Sequence, residues 1–139
     1  MITKTQRSYF NAAKECSYQS DFPRVHIGAA VVLKHKVISR GWNSATRTHR
    51  LQAELNKKRF QVPSLGQLHA EVAALLPVIN KYDLSGATLY VYRESLNGNV
   101  VMSRPCAGCM SLIRACGIKK IYYTTPEGFA EEHLLDEDV

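Results

Sequence analysis

The chain has 139 residues, of which 45% are hydrophobic and 22% are charged, a composition typical of a globular protein with one domain and its own core. Its longest apolar runs, residues 27–33 and 72–79, are far too short to span a bilayer, which excludes a membrane-spanning protein. The net charge of +6 hides an asymmetry, because six of the twelve acidic residues follow Pro126, where no Lys or Arg occurs.

Residues 1–126 hold all eighteen Lys and Arg residues against six acids, which gives this part a net charge of +12. A region this basic suits a phosphorylated or polyanionic substrate, and the acidic tail at about 127–139 would then shield the basic region from nucleic acid. A solvated surface of mixed charge is the simpler alternative, and composition leaves both open. The first residues lack the apolar core of a signal peptide, so we expect a cytoplasmic protein with no membrane partner.

The first part of the chain predicts a helix followed by a β-hairpin. Apolar residues recur at helical spacing over residues 5–20, which predicts an amphipathic helix. Two runs rich in β-branched residues, 25–33 and 37–42, flank a short polar connection and predict the hairpin. Residues 43–65 are polar and irregular, with a helical segment over 51–60 as one interpretation. Connections of this length are usually functional or disordered.

A second helix and a third strand are predicted next. Residues 69–80 have the density of Ala, Leu and Val that is typical of a buried helix, which Pro77 kinks or ends. Residues 87–94 alternate in strand fashion, and the sequence Leu-Asn-Gly-Asn at 96–99 signals a turn.

The last part predicts a helix, a strand and a short helix. The first of these helices begins near Pro105 and has Gly117 at its C-cap. A strand over 118–124 and a short terminal helix over 126–135 complete the chain. This order predicts an α/β sandwich with one mixed sheet, forming a single domain over residues 1–139.

Two short motifs, Gln-Leu-His-Ala-Glu at 67–71 and Arg-Pro-Cys-Ala-Gly-Cys at 104–109, together indicate one zinc site. His69 offers an imidazole, and Cys106 and Cys109 offer two thiolates one helical turn apart. Three protein ligands leave one tetrahedral position of Zn²⁺ open, as a catalytic site requires. A structural site would normally add a fourth Cys or His, and none stands at an obvious spacing. Both motifs fall at predicted helix starts, where the helix dipole favours thiolate over thiol.

Glu71, two residues after His69, is the expected proton carrier. Zinc lowers the pKa of a bound water from ~15.7 towards 7, which supplies a nucleophile at neutral pH. A neighbouring carboxylate can take a proton from that water and deliver it to the substrate or to its leaving group. Since a purely structural zinc site has no use for this carboxylate, the residues favour a hydrolytic enzyme.

The pairing of His-x-Glu with Pro-Cys-x-x-Cys is the signature of zinc nucleobase deaminases. Together with Val-His-Ile-Gly-Ala-Ala at 25–30 and Gly-Trp-Asn at 41–43, it makes the sequence similar to the cytidine/deoxycytidylate deaminase superfamily over about residues 5–125. The sequence also resembles tRNA adenosine deaminases. The resemblance implies a three-layer α/β/α fold with a central mixed sheet of four to five strands, although no fifth strand is evident after Thr125. It also implies Zn²⁺ as the cofactor.

The resemblance further implies contacts with the substrate. By this match Asn43 would contact the sugar or base, and the backbone of Ala70 would recognise the amide edge of a pyrimidine. Arg104 stands before Pro-Cys, where many relatives carry Glu or Phe, and would place a positive charge beside the pocket. Because members of the superfamily commonly associate, a homo-oligomer is a further expectation.

Three functions remain open. The first is deamination of a free cytosine nucleotide or nucleoside, above all of dCMP to dUMP. The second is deamination of a cytosine or adenine within single-stranded DNA or RNA, in which Trp42, Phe60 or Tyr92 would stack a base. The third is a non-catalytic zinc-binding module, against which Glu71 argues. For the first, a phosphate grip could come from Arg104 and from a basic stretch that comprises Arg47, Arg50, Lys57, Lys58 and Arg59.

Overall fold

The structure, a computed structural model, describes residues 2–46, 51, 52, 54 and 68–134. Its helices and strands in chain order are α1 Lys4–Ser17, β1 His26–Leu33, β2 Lys36–Trp42, α2 Ala70–Leu75, β3 Thr88–Glu94, α3 Ala107–Ala115, β4 Lys120–Thr125 and β5 Gly128–His133. A short 3₁₀ turn at Leu84–Gly86 leads into β3. None of the helices in these described ranges has the length and apolar character that crossing a bilayer requires.

The strands form one mixed sheet in the order β2-β1-β3-β4-β5. Within it β3 and β4 are parallel, and the other neighbouring strands are antiparallel. The predicted hairpin of β1 and β2 is confirmed, and it turns on Lys34 and His35, whose φ angles of 51° and 67° suit the twist of a two-residue connection. The parallel pair needs a crossover, which α3 provides.

Helices cover both faces of the sheet, which confirms the three-layer fold. Side chains alternate along each strand, so Leu89 and Val91 pack toward α2 and α3, whereas Tyr90 lies on the opposite face under α1. There Tyr90 stacks on Tyr122 with ring centroids 4.5 Å apart, and Phe10 of α1 meets Tyr90 edge-on at 5.1 Å. The sheet thus separates two hydrophobic clusters.

Two glycines let the helices lie close against the β1–β2 hairpin. A Cβ atom at Gly28 would overlap the carbonyl of Ala13 in α1, and one at Gly41 would overlap the backbone of Ala74 in α2. A side chain at either position would therefore push a helix away from the sheet. The close approach at Gly41 fixes the position of α2, the helix that begins directly after His69.

Both interior helices end as the sequence predicts. α2 stops at Leu75, before Pro77. At the end of α3, Gly117 has a φ of 87° and donates its N–H to the carbonyl of Arg114 at 2.9 Å. The N–H of Ile118 reaches back to the carbonyl of Ile113 at 3.3 Å, which completes a Schellman motif. The chain then turns directly into β4.

The predicted terminal helix over residues 126–135 is wrong. Gly128–His133 forms β5, which pairs antiparallel with β4 from Thr125 opposite Gly128 onwards. Gly128 has a φ of 126°, which residues with a side chain rarely adopt, so the chain reverses sharply there. Phe129 packs on Phe10 with ring centroids 4.3 Å apart. Backbone pairing with the open edge of β4 and this aromatic contact outweigh the helical propensity of the segment.

The acidic tail is partly built into the sheet. Glu131 in β5 lies 3.6 Å from the Lys120 ammonium and 2.8 Å from a ring nitrogen of His133. Deleting residues 127–139 would therefore remove strand β5 together with the negative charge of the tail. Residues 135–139 lie outside the described part of the chain.

Candidate active site

The two sequence motifs meet at the starts of two helices. His69 is the N-cap of α2, Cys106 is the N-cap of α3, and Cys109 lies in the first turn of α3. Nδ1 of His69 is 3.3 Å from Sγ of Cys109 and 3.7 Å from Sγ of Cys106. One ligand atom from each of the three residues lies within 4.8 Å of the others. The three predicted zinc ligands therefore form one cluster.

This donor set fits Zn²⁺. Tetrahedral bonds of about 2.3 Å to sulfur and 2.0 Å to nitrogen place neighbouring ligand atoms about 3.5–4 Å apart, close to the separations observed here. Within the described ranges, no further His, Cys, Asp or Glu belongs to the cluster. The chemistry of one imidazole and two thiols therefore matches a catalytic zinc site with a position left for water.

The electrostatics of the cluster favour the thiolate that zinc binds. Hydrogen bonding from the Cys109 side chain, reinforced by His69 and the Cys109 backbone N–H, lowers the pKa of Cys106 to about 3 despite the opposing effect of burial. The N-terminal end of α3 adds the positive end of a helix dipole. Cys106 is thus a thiolate across the neutral pH range.

Glu71 lies in the first turn of α2 with 6% of its surface exposed. Burial raises the pKa of its carboxyl above the usual range, and the charge of His69 opposes this shift. A carboxyl whose pKa is raised holds a proton more readily than an exposed carboxylate does. This property suits the role of proton carrier that the sequence predicts for Glu71.

A cavity of about 300 Å³ opens over the cluster, at the lower end of the range for small-molecule sites. Apolar side chains, among them Phe22, Val25 and Ile27, form part of its wall. Of the seven site residues predicted from the sequence, Cys109 is fully buried beneath the cavity. The other six line it: Asn43, His69, Ala70, Glu71, Arg104 and Cys106.

The Asn43 side chain bridges two strand ends. Its Oδ1 accepts the N–H of Ile27 at 2.9 Å, and its Nδ2 donates to the carbonyl of Val25 at 2.8 Å. The residue is 5% exposed. These bonds tie the end of β2 to the start of β1 and shape the cavity wall, while direct contact of Asn43 with the substrate stays a prediction.

The Arg104 guanidinium is paired with a carboxylate. Its Nε and Nη2 donate to the two oxygens of Glu132 in β5, each at 2.9 Å. The hydroxyl of Tyr123 in β4 donates to the same carboxylate at 3.0 Å. Arg104 therefore links the loop before Cys106 to the last strand, and its contact with a substrate also stays a prediction.

Gln52 is a site residue that the motifs did not indicate. Its side-chain Oε1 accepts the backbone N–H of His69 at 2.9 Å, and Gln52 is 1% exposed. The contact fixes the backbone of the residue that carries the imidazole. No local pattern marks Gln52, since it stands in the polar and irregular stretch of the sequence. Leu51, Gln52 and Glu54 have helical backbone, and the rest of the segment predicted over 51–60 lies outside the described residues.

Ser103 and Thr124 anchor the loop that leads to Cys106. The hydroxyl of Ser103 donates to the carbonyl of Val91 at 3.0 Å and accepts the N–H of Thr124 at 2.8 Å. Oγ1 of Thr124 donates to the carbonyl of Val101 at 2.7 Å. Both hydroxyl-bearing side chains are buried. The loop is thereby held to β3 and β4 directly before the metal-binding motif.

Thr124→Val is expected to reduce the free energy of unfolding by about 1–3 kcal/mol, because it keeps the shape of the side chain but leaves the half-buried Val101 carbonyl without its partner. Zinc binding should weaken about tenfold, the lower end of the effect of changing residues that hold metal ligands in place. Urea unfolding and competition with a chromophoric chelator measure the two effects. Thr88→Val in β3 is the matched control, since no hydrogen bond of the Thr88 hydroxyl occurs in the described ranges. Zinc affinity equal to that of the control would contradict the anchoring role.

Known proteins match the chain in sequence. A model of the cytidine and deoxycytidylate deaminase zinc-binding region matches residues 3–125. The deoxycytidylate deaminase of Mycobacterium phage D29 is 32% identical over 126 residues, which cover 83% of this chain and 90% of the phage protein. An uncharacterized deaminase from the luxG 3′ region of Aliivibrio fischeri is 27% identical over 122 residues, which cover 88% of this chain and 74% of that protein.

Solved structures match the fold. The dCMP deaminase of cyanophage S-TIM5, in complex with dCMP and dUMP, has a TM-score of 0.65 at 26% identity and covers 90% of this chain and 84% of its own. A cytidine deaminase from Burkholderia pseudomallei has a TM-score of 0.67 at 17% identity, covering 99% of this chain and 100% of its own. The second likeness concerns the fold alone. Both agree with the arrangement of five strands and flanking helices described above.

Proposed function

Because the chain belongs to the cytidine and deoxycytidylate deaminase family, we propose that it converts dCMP to dUMP and ammonia by zinc-dependent hydrolysis. The observation that carries this proposal is the convergence of His69, Cys106, Cys109 and buried Glu71 on one cavity. The choice of dCMP is supported by two relatives, the phage D29 protein and the cyanophage S-TIM5 protein, both named as deaminases of this nucleotide.

The residues divide the chemistry between them. Zn²⁺ held by His69, Cys106 and Cys109 would lower the pKa of a water molecule and so supply the nucleophile. Glu71 faces the same cavity and takes a proton from the attacking water. It passes this proton to the ring nitrogen of cytosine, next to the carbon that is attacked. It then carries the second proton of the water, from the hydroxyl now on that carbon, to the amine, which leaves as ammonia while the hydroxyl becomes a carbonyl. The balance is one water consumed and one ammonia released.

The cavity walls orient the base. The backbone of Ala70 lies between His69 and Glu71, where it would meet the amide edge of the pyrimidine, and Asn43 would contact the sugar or base from the opposite strand end. Phe22 and Ile27 form an apolar wall that keeps water from the flat faces of the ring. Arg104 also lines the cavity, with its guanidinium paired with the carboxylate of Glu132.

A second candidate function is deamination of a base within single-stranded DNA or RNA. It is favoured by an open cleft of about 570 Å³ that shares Arg93 and Met102 with the catalytic cavity and carries the exposed side chain of Leu96. The predicted stacking by Tyr92 is wrong, because Tyr92 is 5% exposed and packs under α1 on the other face of the sheet. Phe60 and the basic stretch over 47–59 lie outside the described residues.

One assay distinguishes these functions. The zinc-loaded protein and a Glu71→Ala control are incubated with dCMP, CMP, deoxycytidine, cytidine, adenosine and a mixed-sequence oligonucleotide as DNA and as RNA, and ammonia is measured. We expect the highest kcat/KM with dCMP and no turnover by the control. Turnover of the oligonucleotide alone would overturn the assignment of dCMP. A zinc-loaded protein that releases no ammonia from any of these compounds would contradict the catalytic reading and favour a zinc-binding module.

A further inference from the structure

Two arginines line the catalytic cavity, and they differ in what their guanidinium groups contact. The donors of Arg104 that form a fork, Nε and Nη2, are both engaged by Glu132 at 2.9 Å. A phosphate could bind this fork only by displacing Glu132, which the hydroxyl of Tyr123 also holds. Arg104 is therefore a connection between the loop and β5 more than a free cation.

Among the described residues, the guanidinium of Arg93 leaves most of its donors without a partner. Its contact in the described part of the chain is from Nη1 to the carbonyl of Met102, at 3.5 Å, the outer limit of a hydrogen bond. None of the described carboxylates lies within ion-pair distance of it. A planar guanidinium with free donors, half-buried at the wall of a cavity, matches the geometry of a phosphate.

Arg93 stands on β3 at the point where the hydrophobic core gives way to the cavity. It follows Leu89 and Val91 on the face of β3 that packs toward α2 and α3, and its Cα partner in β1 is Ile27, another residue of the cavity wall. The alternation of the strand thus continues from buried apolar residues to a single charged residue at the cavity. The same side chain also borders the open cleft, next to the exposed Arg24.

The backbone of Arg93 is held on both sides. Its N–H donates to Oγ1 of Thr124 at 3.2 Å, and its carbonyl accepts the N–H of Val101 at 3.1 Å. The Cα atom is therefore fixed by the same network that anchors the loop before Cys106. Because the Cα atom is fixed, the guanidinium can reach only a limited region at the cavity wall, which favours a specific contact over a diffuse one.

We propose that Arg93 binds the phosphate of the substrate and so selects nucleotides over nucleosides, an inference that rests on the proposed function. Glu71 lines the cavity beside the metal ligands His69 and Cys106, and Arg93 stands at the wall that the cavity shares with the open cleft. This geometry orients the nucleotide with its base toward Glu71 and its phosphate toward Arg93. Since the phosphate lies away from the reacting carbon, Arg93 binds it equally well in the ground state and in the transition state. Loss of this contact should therefore raise KM and leave kcat unchanged.

The test compares dCMP with deoxycytidine. In Arg93→Gln the ratio of kcat/KM for dCMP to that for deoxycytidine is expected to fall about 10- to 100-fold, the effect of losing hydrogen bonds to a charged group, and to do so through KM for dCMP. Arg93→Lys, which keeps the charge and loses the fork, should give an intermediate ratio. Arg40→Gln, at an exposed position of β2 away from the cavity, removes the same charge and is the matched control.

Direct measurement of ligand binding tests the role of Arg93 without relying on turnover. The dissociation constants of dCMP and deoxycytidine are measured by calorimetry on zinc-loaded Glu71→Gln protein, with and without Arg93→Gln. A selective loss for dCMP supports the proposal, and an equal loss for both ligands or no loss overturns it. A larger selective loss in Arg104→Gln would assign the phosphate to Arg104 and also overturn it. Wild-type protein that neither binds nor converts dCMP overturns the proposed function itself, whereas conversion with an unchanged ratio in Arg93→Gln overturns the role of Arg93 alone.

Discussion

Glu71→Gln is expected to lower kcat for deamination by a factor of about 10² to 10⁴, because an amide cannot accept the proton that the carboxylate transfers. Zinc content should stay at that of the wild type, since Glu71 is not part of the cluster formed by His69, Cys106 and Cys109. Ammonia release gives kcat, and metal analysis of the purified variant gives zinc content. Glu15→Gln, an exposed change on α1, controls for the loss of one negative charge.

The stability of the same variant tests the environment of the carboxyl. Burial raises the pKa of Glu71 in the folded protein. Above the pKa of the unfolded chain, a group with a raised folded pKa opposes folding, so replacing it by a neutral amide of the same shape should leave the free energy of unfolding at pH 7 unchanged or higher. A kcat within tenfold of the wild type would mean that another group carries the proton.

Removal of zinc is expected to abolish turnover and to destabilise the fold. Zinc at 1,000 times its dissociation constant stabilises a protein that binds it only when folded by about 4 kcal/mol, so dialysis against a chelator should remove about that much from the free energy of unfolding. Adding Zn²⁺ back should restore both properties. Parallel assays of ammonia release and of urea unfolding follow them before and after dialysis.

The cysteines provide matched variants for this experiment. Cys106→Ala removes a ligand and should yield protein without stoichiometric zinc and without activity. Cys116→Ala changes the half-buried C-cap of α3, which stands outside the metal cluster, and should keep zinc. If Cys106→Ala bound zinc as tightly as Cys116→Ala, the assignment of the ligands would be wrong.

The parts of the site that could be predicted from the sequence depend on short-range geometry. Cys106 and Cys109 lie one helical turn apart and Glu71 lies two residues from His69, so their spacing alone restricts where their side chains can point. That the two motifs face each other follows from the family resemblance, and the cluster of three ligands confirms it. The hairpin that turns on Lys34 and His35 was predictable for the same reason, since its two strands are adjacent in sequence.

The parts that the sequence did not reveal depend on contacts between distant segments. Within the segment predicted as a terminal helix, Gly128–His133 forms a strand because it pairs with the edge of β4 and packs on the ring of Phe10, and neither partner is visible in local periodicity. Gln52 reaches His69 across 17 residues, and Arg104 reaches Glu132 across 28. Arg93 continues the alternation of β3, so the sequence does not distinguish this charged residue at the cavity from an ordinary polar residue of a strand.

The ion pair between Arg104 and Glu132 has a consequence for how a newly made chain matures. The ribosome adds about 5–20 residues each second, so Glu132 follows Arg104 by about 1 to 6 s, given the 28 residues between them. Late in this interval, once β4 has been made, the nascent chain carries all three metal ligands while the hydrogen-bonding edge of β4 has no neighbour. An unpaired edge invites pairing with other chains. Because the chain is made from its N-terminus, it passes through a brief aggregation-prone stage that ends only when β5 pairs with β4.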